Sequence, residues 1–129
     1  MMPVCESMVM VVEDDIDVRE SLVEALQDHA YQPVDVANGQ EAIERLRTGP
    51  QLPCVILLDM MMPVMDGWQF RAAQRADPAL ENIPVIVLSA HADVNEAADR
   101  MGVAGCLRKP VTLEALLRTI DRFCRPQQP

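Results

Sequence analysis

The chain has 129 residues, of which 50% are hydrophobic and 24% are charged, values typical of one ordinary globular domain. Twenty acidic residues against eleven Lys and Arg give a net charge of −9. This charge argues against binding to nucleic acid or to an anionic membrane, because phosphates would be repelled. The longest apolar runs are far shorter than the about 20 residues that a membrane-spanning helix needs. DNA-binding and membrane functions are therefore not expected.

The cysteines and the chain start indicate a cytoplasmic protein. No basic segment followed by an apolar stretch is visible at the start, so no secretory signal is expected. The four cysteines form no CxxC pair, which predicts reduced thiols and argues against a zinc site. These cysteines are Cys5, Cys54, Cys106 and Cys124.

Five short apolar runs punctuate the sequence, and the strongest are rich in Val and Ile. Because they are nearly continuous rather than alternating, they are typical of parallel strands covered on both faces. In chain order they are Met8–Val12, Pro33–Val36, Cys54–Leu58, Pro84–Leu88 and Gly105–Leu107.

Segments with helical periodicity follow each run, the clearest being the stripe that includes Leu113, Leu116 and Ile120. A βα unit repeated five times predicts an α/β fold, (βα)5, with a doubly wound five-stranded parallel sheet in the flavodoxin-like order 2-1-3-4-5. We expect one domain over residues 1–129, with its core at about 8–124 and a flexible tail at 125–129. Helix starts are predicted at Asp17, Asn38 and Asp93, each followed three residues later by Glu, and at Thr112.

Polar side chains stand where four of the five apolar runs end. Glu13, Asp14 and Asp15 follow the first run and Asp59 follows the third, while Ser89 and Lys109 follow the fourth and fifth. Ligands of an open parallel sheet bind outside the carboxyl ends of its strands. Strands one and three are neighbours in the predicted order, so their acids converge on one crevice. We expect Asp15 to serve the first helix instead, by capping it or by interacting with its dipole.

The residue types at this crevice favour phosphoryl chemistry. Clustered carboxylates raise one another's pKa, and a hard divalent cation resolves that conflict. Mg²⁺ takes one or two carboxylates and keeps waters for a phosphate ligand. A nucleophilic carboxylate, a metal and a lysine are the parts needed to form and hold an aspartyl phosphate.

Four motifs in the correct order give a family resemblance over nearly the whole chain. VMVVEDD at Val9–Asp15, LLDMMMPVMDG at Leu57–Gly67, VLSA at Val87–Ala90 and the pair Lys109-Pro110 together resemble the receiver domain of two-component response regulators, similar to single-domain chemotaxis-type regulators. Each motif alone is weak, whereas all four at the ends of the correct strands are specific.

The resemblance implies a role for each matching residue. Asp59 would be the phosphoacceptor, with Ser89 and Lys109 contacting the phosphoryl group. Glu13, Asp14, Asp59 and the backbone carbonyl of Met61 would hold Mg²⁺. Pro63, Asp66 and Gly67 fit the loop after the acceptor, and Pro110 fits a position where the family commonly has a cis peptide.

The implied function is that of a signalling switch rather than a metabolic enzyme. Asp59 would accept a phosphoryl group from a histidine kinase or a histidine phosphotransfer protein, and the domain would dephosphorylate itself. Its output would pass through a downstream protein or an output domain outside this sequence. Cys106 occupies the position where the family often has an aromatic residue, so an aromatic relay is absent and we expect a weaker or partner-dependent switch.

Three alternatives to a receiver domain can be weighed at this stage. An Asp-nucleophile phosphohydrolase of similar fold would usually carry a second Asp two residues after the nucleophile, where this chain has Met61. An interaction-only pseudo-receiver is disfavoured because every signature acid and the lysine are present. A nucleotide- or flavin-binding module is disfavoured because no glycine-rich loop follows the first run.

Finally, we hypothesise that Met61 and His91 control the access of water to the acyl phosphate.

Overall fold

The computed structural model describes residues 3–90 and 94–127, except for the side chain of residue 94. Strands and helices alternate along the chain as five βα units. They are β1 (Val4–Val12), α1 (Ile16–Asp28), β2 (Gln32–Val36), α2 (Gly39–Thr48), β3 (Leu52–Asp59), α3 (Gly67–Arg75), β4 (Val85–Ser89), α4 (Val94–Met101), β5 (Gly105–Arg108) and α5 (Leu113–Ile120).

All five strands form one parallel sheet in the order β2-β1-β3-β4-β5. The predicted topology is therefore confirmed. The central strand β3 is buried at all eight positions, which explains why its sequence is a continuous apolar run rather than an alternating one. This order places β1 beside β3, so their carboxyl ends share one edge of the sheet.

Helices cover both faces of the sheet and enclose two apolar clusters. Alternate residues of β1 point to opposite faces, so Met10 and Val12 enter the cluster with α2 and α3, whereas Val9 and Val11 enter the cluster with α1 and α5. The stripe predicted on α5 is confirmed in part, because Leu116 and Ile120 are buried, whereas Leu113 at the start of the helix is exposed.

The first strand is longer and less regular than its apolar run suggests. It begins at Val4, and its pairing with β3 shifts register between Cys5 and Val9. Three residues, 6–8, face Cys54 alone across this irregularity. Because this stretch contains polar residues, a continuous apolar run does not mark the beginning of the strand.

Helix capping agrees with the sequence analysis at Asn38 and Thr112, whose side chains accept backbone hydrogen bonds from Glu41 and Ala115. The first helix differs. Its cap is Asp15, which accepts from the backbone of Asp17 at 2.9 Å, so Asp15 has the expected capping role and Asp17 lies inside the helix. The start expected at Asp93 lies outside the described residues.

The cysteine prediction is wrong for one pair. Cys54 in β3 and Cys124 after α5 are joined by a disulfide, whereas Cys5 and Cys106 are free. Residues 70 positions apart, with Cα atoms 5.5 Å from each other, meet only through the fold, so local spacing carries no signal of this bond. In the described part of the expected tail, the amides of Arg125 and Gln127 donate hydrogen bonds to the carbonyls of Glu6 and Ala30.

Among the helices of the described part of the chain, none is both long and apolar enough to span a membrane.

Candidate phosphoacceptor and metal site

A cavity of about 240 Å³ lies at the carboxyl ends of the central strands. The strand order brings together residues that are up to 96 positions apart in sequence. The lining residues are Glu13, Asp14, Asp15, Asp59, Met61, Ser89, Ala90 and Lys109. All residues predicted to contact the phosphoryl group or the metal ion therefore line one cavity.

Three carboxylates form the acidic part of this cavity. Glu13, Asp14 and Asp59 each offer an oxygen, and these oxygens lie within 4.8 Å of one another. Glu13 and Asp59 are buried, at 1% and 4% exposure, while Asp14 is exposed. Oxygen ligands of this number and spacing, open to water on one side, fit a hard divalent cation that keeps part of its hydration shell.

Lys109 connects the two buried carboxylates. Its ammonium donates to Glu13 Oε2 at 2.9 Å and to Asp59 Oδ1 at 3.2 Å. Burial alone would lower the pKa of this ammonium, but the hydrogen bond to Glu13 and the nearby charges outweigh it, so the pKa of Lys109 is raised. The lysine is therefore a permanent cation at the floor of the cavity.

Asp59 titrates far above an ordinary aspartate. Burial raises its pKa to about 6, the Glu13 carboxylate adds to the rise, and Lys109 opposes it. A second positive charge placed beside Asp59 would lower this pKa again. The electrostatics thus favour a cation near the three acids.

The loop after Asp59 is fixed by short-range contacts. The Met61 amide donates to Asp59 Oδ1 at 3.4 Å, and the Gly67 amide donates to the Met60 carbonyl at 3.2 Å. A Cβ at Gly67 would lie 3.0 Å from Met60 Cα and 3.2 Å from the Asp59 carbonyl oxygen, so glycine favours the close approach of α3 to this loop. Asp66 caps α3 in a reciprocal pair with Gln69.

The remaining predicted positions fall around this cavity. Ser89 is buried at the end of β4, and the Lys109-Pro110 peptide is cis, as the resemblance implies. Met61 is exposed at the rim, whereas His91 lies outside the described residues. Cys106 lies on β5, where its thiol contacts Asn95 Oδ1 of α4 at 2.8 Å.

The sequence analysis missed Arg19 as a residue that supports the site, and it missed a second role of Asp15 besides capping. Arg19 of α1 donates from Nη1 to the Glu13 carbonyl at 3.0 Å, and the Asp15 amide donates to Glu13 Oε1 at 3.3 Å. Both hold the turn that presents the acids. Arg19 has no motif to mark it, because its role depends on the packing of α1 beside β1.

Comparison with known proteins gives a consistent result. The family model of the response regulator receiver domain matches residues 9–121. The response regulator receiver protein CpdR of Brucella abortus is 35% identical over 116 residues, which are 89% of this chain and 94% of CpdR. Other curated relatives are longer, and the chain spans 50% of the response regulator Rre1 of Synechocystis, to which it is 33% identical over 86% of its own length.

Solved structures agree with this assignment. The chemotaxis protein CheY4 of Vibrio cholerae superposes with a TM-score of 0.81 at 30% identity, covering 92% of this chain and 99% of CheY4. The receiver domain of the sensor histidine kinase PA1611 from Pseudomonas aeruginosa has a TM-score of 0.80 at 25% identity, covering 92% and 98%, and holds a magnesium ion in its active site cleft. With its sheet order, its acidic cavity and its lysine in place, this chain belongs to the response regulator receiver domain family of two-component signalling.

Proposed function

We propose that Asp59 is the phosphoacceptor of this receiver domain and that the donor is a phosphohistidine of a histidine kinase or phosphotransfer protein. A carboxylate oxygen of Asp59 attacks phosphorus, the bond from phosphorus to the imidazole nitrogen breaks, and an acyl phosphate remains on Asp59. The observation that carries this proposal is the meeting of Asp59, Glu13, Asp14 and Lys109 in one cavity.

We propose Mg²⁺ as the ion of this site, held by Glu13, Asp14, Asp59 and the Met61 carbonyl. The fit rests on the three carboxylate oxygens within 4.8 Å of one another. When bound, Mg²⁺ neutralises charge on the transferring phosphoryl oxygens. The protein's part is to present Asp59 as an ionised nucleophile between Glu13 and Lys109.

Lys109 and Ser89 would then receive the charge of the phosphoryl group. The Lys109 ammonium, now 3.2 Å from Asp59, is close enough to move from the free carboxylate to a phosphoryl oxygen. The Ser89 hydroxyl, at the end of the neighbouring strand β4, would donate to another. Both donors are preorganised, because Ser89 lies in β4 and Lys109 directly follows β5 with its amide donating to the Ser89 carbonyl.

The biological role follows from this chemistry. The domain would act in the cytoplasm as a switch that passes its signal to a downstream protein or output domain, and it would hydrolyse its own acyl phosphate. We propose that it is no metabolic enzyme, since its product is a modified form of itself. The exposed Met61 occupies the position at which a phosphohydrolase of similar fold would carry its second Asp.

Intact-mass spectrometry after incubation with acetyl phosphate tests this proposal. We expect one phosphoryl adduct in the presence of Mg²⁺, and none with EDTA or in Asp59→Asn. The control variant Asp66→Asn retains a capping side chain on α3 and should still be phosphorylated. Absence of the adduct on folded wild type with several small donors would contradict the proposal, as would sustained turnover of p-nitrophenyl phosphate.

A further inference from the structure

The disulfide between Cys54 and Cys124 is far from the acidic cavity. Cys54 is the third residue of β3 and Asp59 is the last, so five residues of extended strand separate them by about 16 Å. We propose that this pair is a reversible redox site, at which exchange with small thiols such as glutathione releases and reattaches the segment 124–127. This exchange does not require phosphorylation of Asp59.

Besides the disulfide, Cys124 is held by burial in the core and by its amide, which donates to the Ile120 carbonyl at 2.9 Å. Residues 125–127 beyond it have few attachments to the body of the domain, among them a bond of 3.2 Å from Arg125 Nη1 to the Asp121 carbonyl. Arg125 donates its amide to the Glu6 carbonyl, and Gln127 donates its amide to the Ala30 carbonyl, both at 2.8 Å. Each is a single backbone bond close to solvent, of a kind that opens readily. The disulfide is therefore the strongest tether of this segment to the sheet.

The structure also contains a hydrogen-bond acceptor for the reduced thiol of Cys54. Its Sγ lies 3.0 Å from the Met8 carbonyl oxygen, in the stretch where residues 6–8 of β1 bulge away from regular pairing. A thiol at Cys54 would donate to this oxygen, so the reduced Cys54 would have a hydrogen-bond partner. Both oxidation states thus fit the same sheet.

The exchange balances with two small thiols. A thiolate attacks Cys124 Sγ, the bond between the two protein sulfurs breaks, and Cys54 leaves as a thiolate that takes up a proton. A second small thiolate attacks the small molecule's sulfur in the mixed disulfide, releasing Cys124 and a small disulfide. Attack falls on Cys124 because its segment can open, whereas Cys54 lies in the paired central strand.

Because both cysteines are buried, thiol exchange requires the segment 124–127 to open first. Cys54 and Cys124 are 5% and 1% exposed, so a small thiol reaches Cys124 only after the bonds of Arg125 and Gln127 break. In the reduced state, the segment and the last turn of α5 lose their covalent link to β3. The redox state thus controls the order of this end of the domain, while the acceptor cavity at the opposite end of β3 is unchanged.

The experiment uses the full chain with Cys5→Ser and Cys106→Ser, so that alkylation counts the Cys54–Cys124 pair alone. The protein is equilibrated in buffers of graded reduced to oxidised glutathione, alkylated and weighed intact. We expect reversible conversion between a fully alkylated and an unalkylated folded form. Hydrogen exchange at the amides of Arg125 and Gln127 should be at least tenfold faster in the reduced form.

Thermal unfolding gives a second readout. Closing a loop of this length by a disulfide predicts that reduction lowers the Tm by about 7–15 °C, with a Cys124→Ser variant matching the reduced form. Phosphorylation of Asp59 by acetyl phosphate should be equal in both forms. The proposal is overturned if the pair stays reduced in oxidised glutathione, if it can be reduced only by unfolding the protein, or if the exchange rates at Arg125 and Gln127 do not change.

Discussion

The ammonium of Lys109 lies 3.2 Å from the carboxylate of Asp59, a residue 50 positions earlier in the chain. The same ammonium contacts Glu13 at 2.9 Å, so a single cation compensates two buried carboxylates. This relationship is the electrostatic centre of the cavity. It explains why a buried acidic pair is tolerated in the resting protein.

Removal of this cation should destabilise the fold. Lys109→Met leaves the carboxylates of Glu13 and Asp59 buried side by side without a compensating positive charge, and we expect a loss of about 3–5 kcal/mol in the free energy of unfolding at pH 7.5. Urea denaturation measures this loss. Arg108→Met, which changes the exposed neighbouring residue, should cost less than about 0.5 kcal/mol. Equal losses in the two variants would contradict the assigned role of Lys109.

In the metal-free protein, the buried carboxylate of Asp59 should lower the free energy of unfolding at neutral pH. Its pKa of about 6 in the folded protein exceeds the unfolded value of 3.8, so its contribution to stability is greatest below pH 4 and is lost as the pH rises through 6. Asp59→Asn should therefore stabilise the metal-free protein by about 1–3 kcal/mol at pH 7.5, with little effect at pH 4.

The control for this prediction is Glu24→Gln, an exposed acid in the middle of α1. This variant should change the free energy of unfolding by less than about 0.5 kcal/mol at both pH values. A destabilising effect of Asp59→Asn at pH 7.5 in EDTA would contradict the prediction that the ionised Asp59 carboxylate destabilises the metal-free protein.

Binding of Mg²⁺ should weaken in acid for the same reason. A proton on Asp59 competes with the metal, so the apparent affinity should fall about tenfold per pH unit below pH 6 and level off above it. The fluorescence of Trp68, the second residue of α3, offers a readout for the titration. Asp14→Asn should weaken binding at every pH, and an affinity that does not vary between pH 5 and 7 would contradict Asp59 as a ligand.

Backbone strain in the acceptor loop gives a prediction independent of charge. Val64 has a φ of +69°, a region that β-branched residues rarely adopt, and its side chain is 76% exposed. Val64→Gly should therefore raise the free energy of unfolding by about 0.5–2 kcal/mol. Ala76→Gly, at an ordinary φ of −77°, should lower it by up to about 1 kcal/mol. Chemical denaturation of both variants measures these two changes in the free energy of unfolding.

Much of the fold and site could be predicted because each rested on a local pattern. Continuous apolar runs marked the buried strands, and the acids and the lysine stood directly at strand ends, where parallel topology makes them converge. Asp15 was identified as a cap for the same local reason. These features need only the positions of neighbouring residues and the order of strands.

The features that were missed depend on three-dimensional proximity or on exact backbone geometry. The Cys54–Cys124 bond joins residues 70 positions apart, and the contact of Arg19 with the Glu13 carbonyl requires α1 to be packed beside β1. The positive φ of Val64 contradicts the residue's own preference, so no propensity could indicate it. The early start of β1 at Val4 was hidden by polar residues in an irregular stretch.

The most direct test of the account locates the phosphoryl group on the chain. Wild-type protein is phosphorylated with acetyl phosphate and Mg²⁺, the acyl phosphate is reduced with borohydride, and the peptides are mapped by tandem mass spectrometry. We expect conversion of Asp59 to homoserine in the peptide that contains β3, with Asp14 and Asp66 unchanged. Conversion at another carboxylate, with Asp59 unmodified, would contradict it.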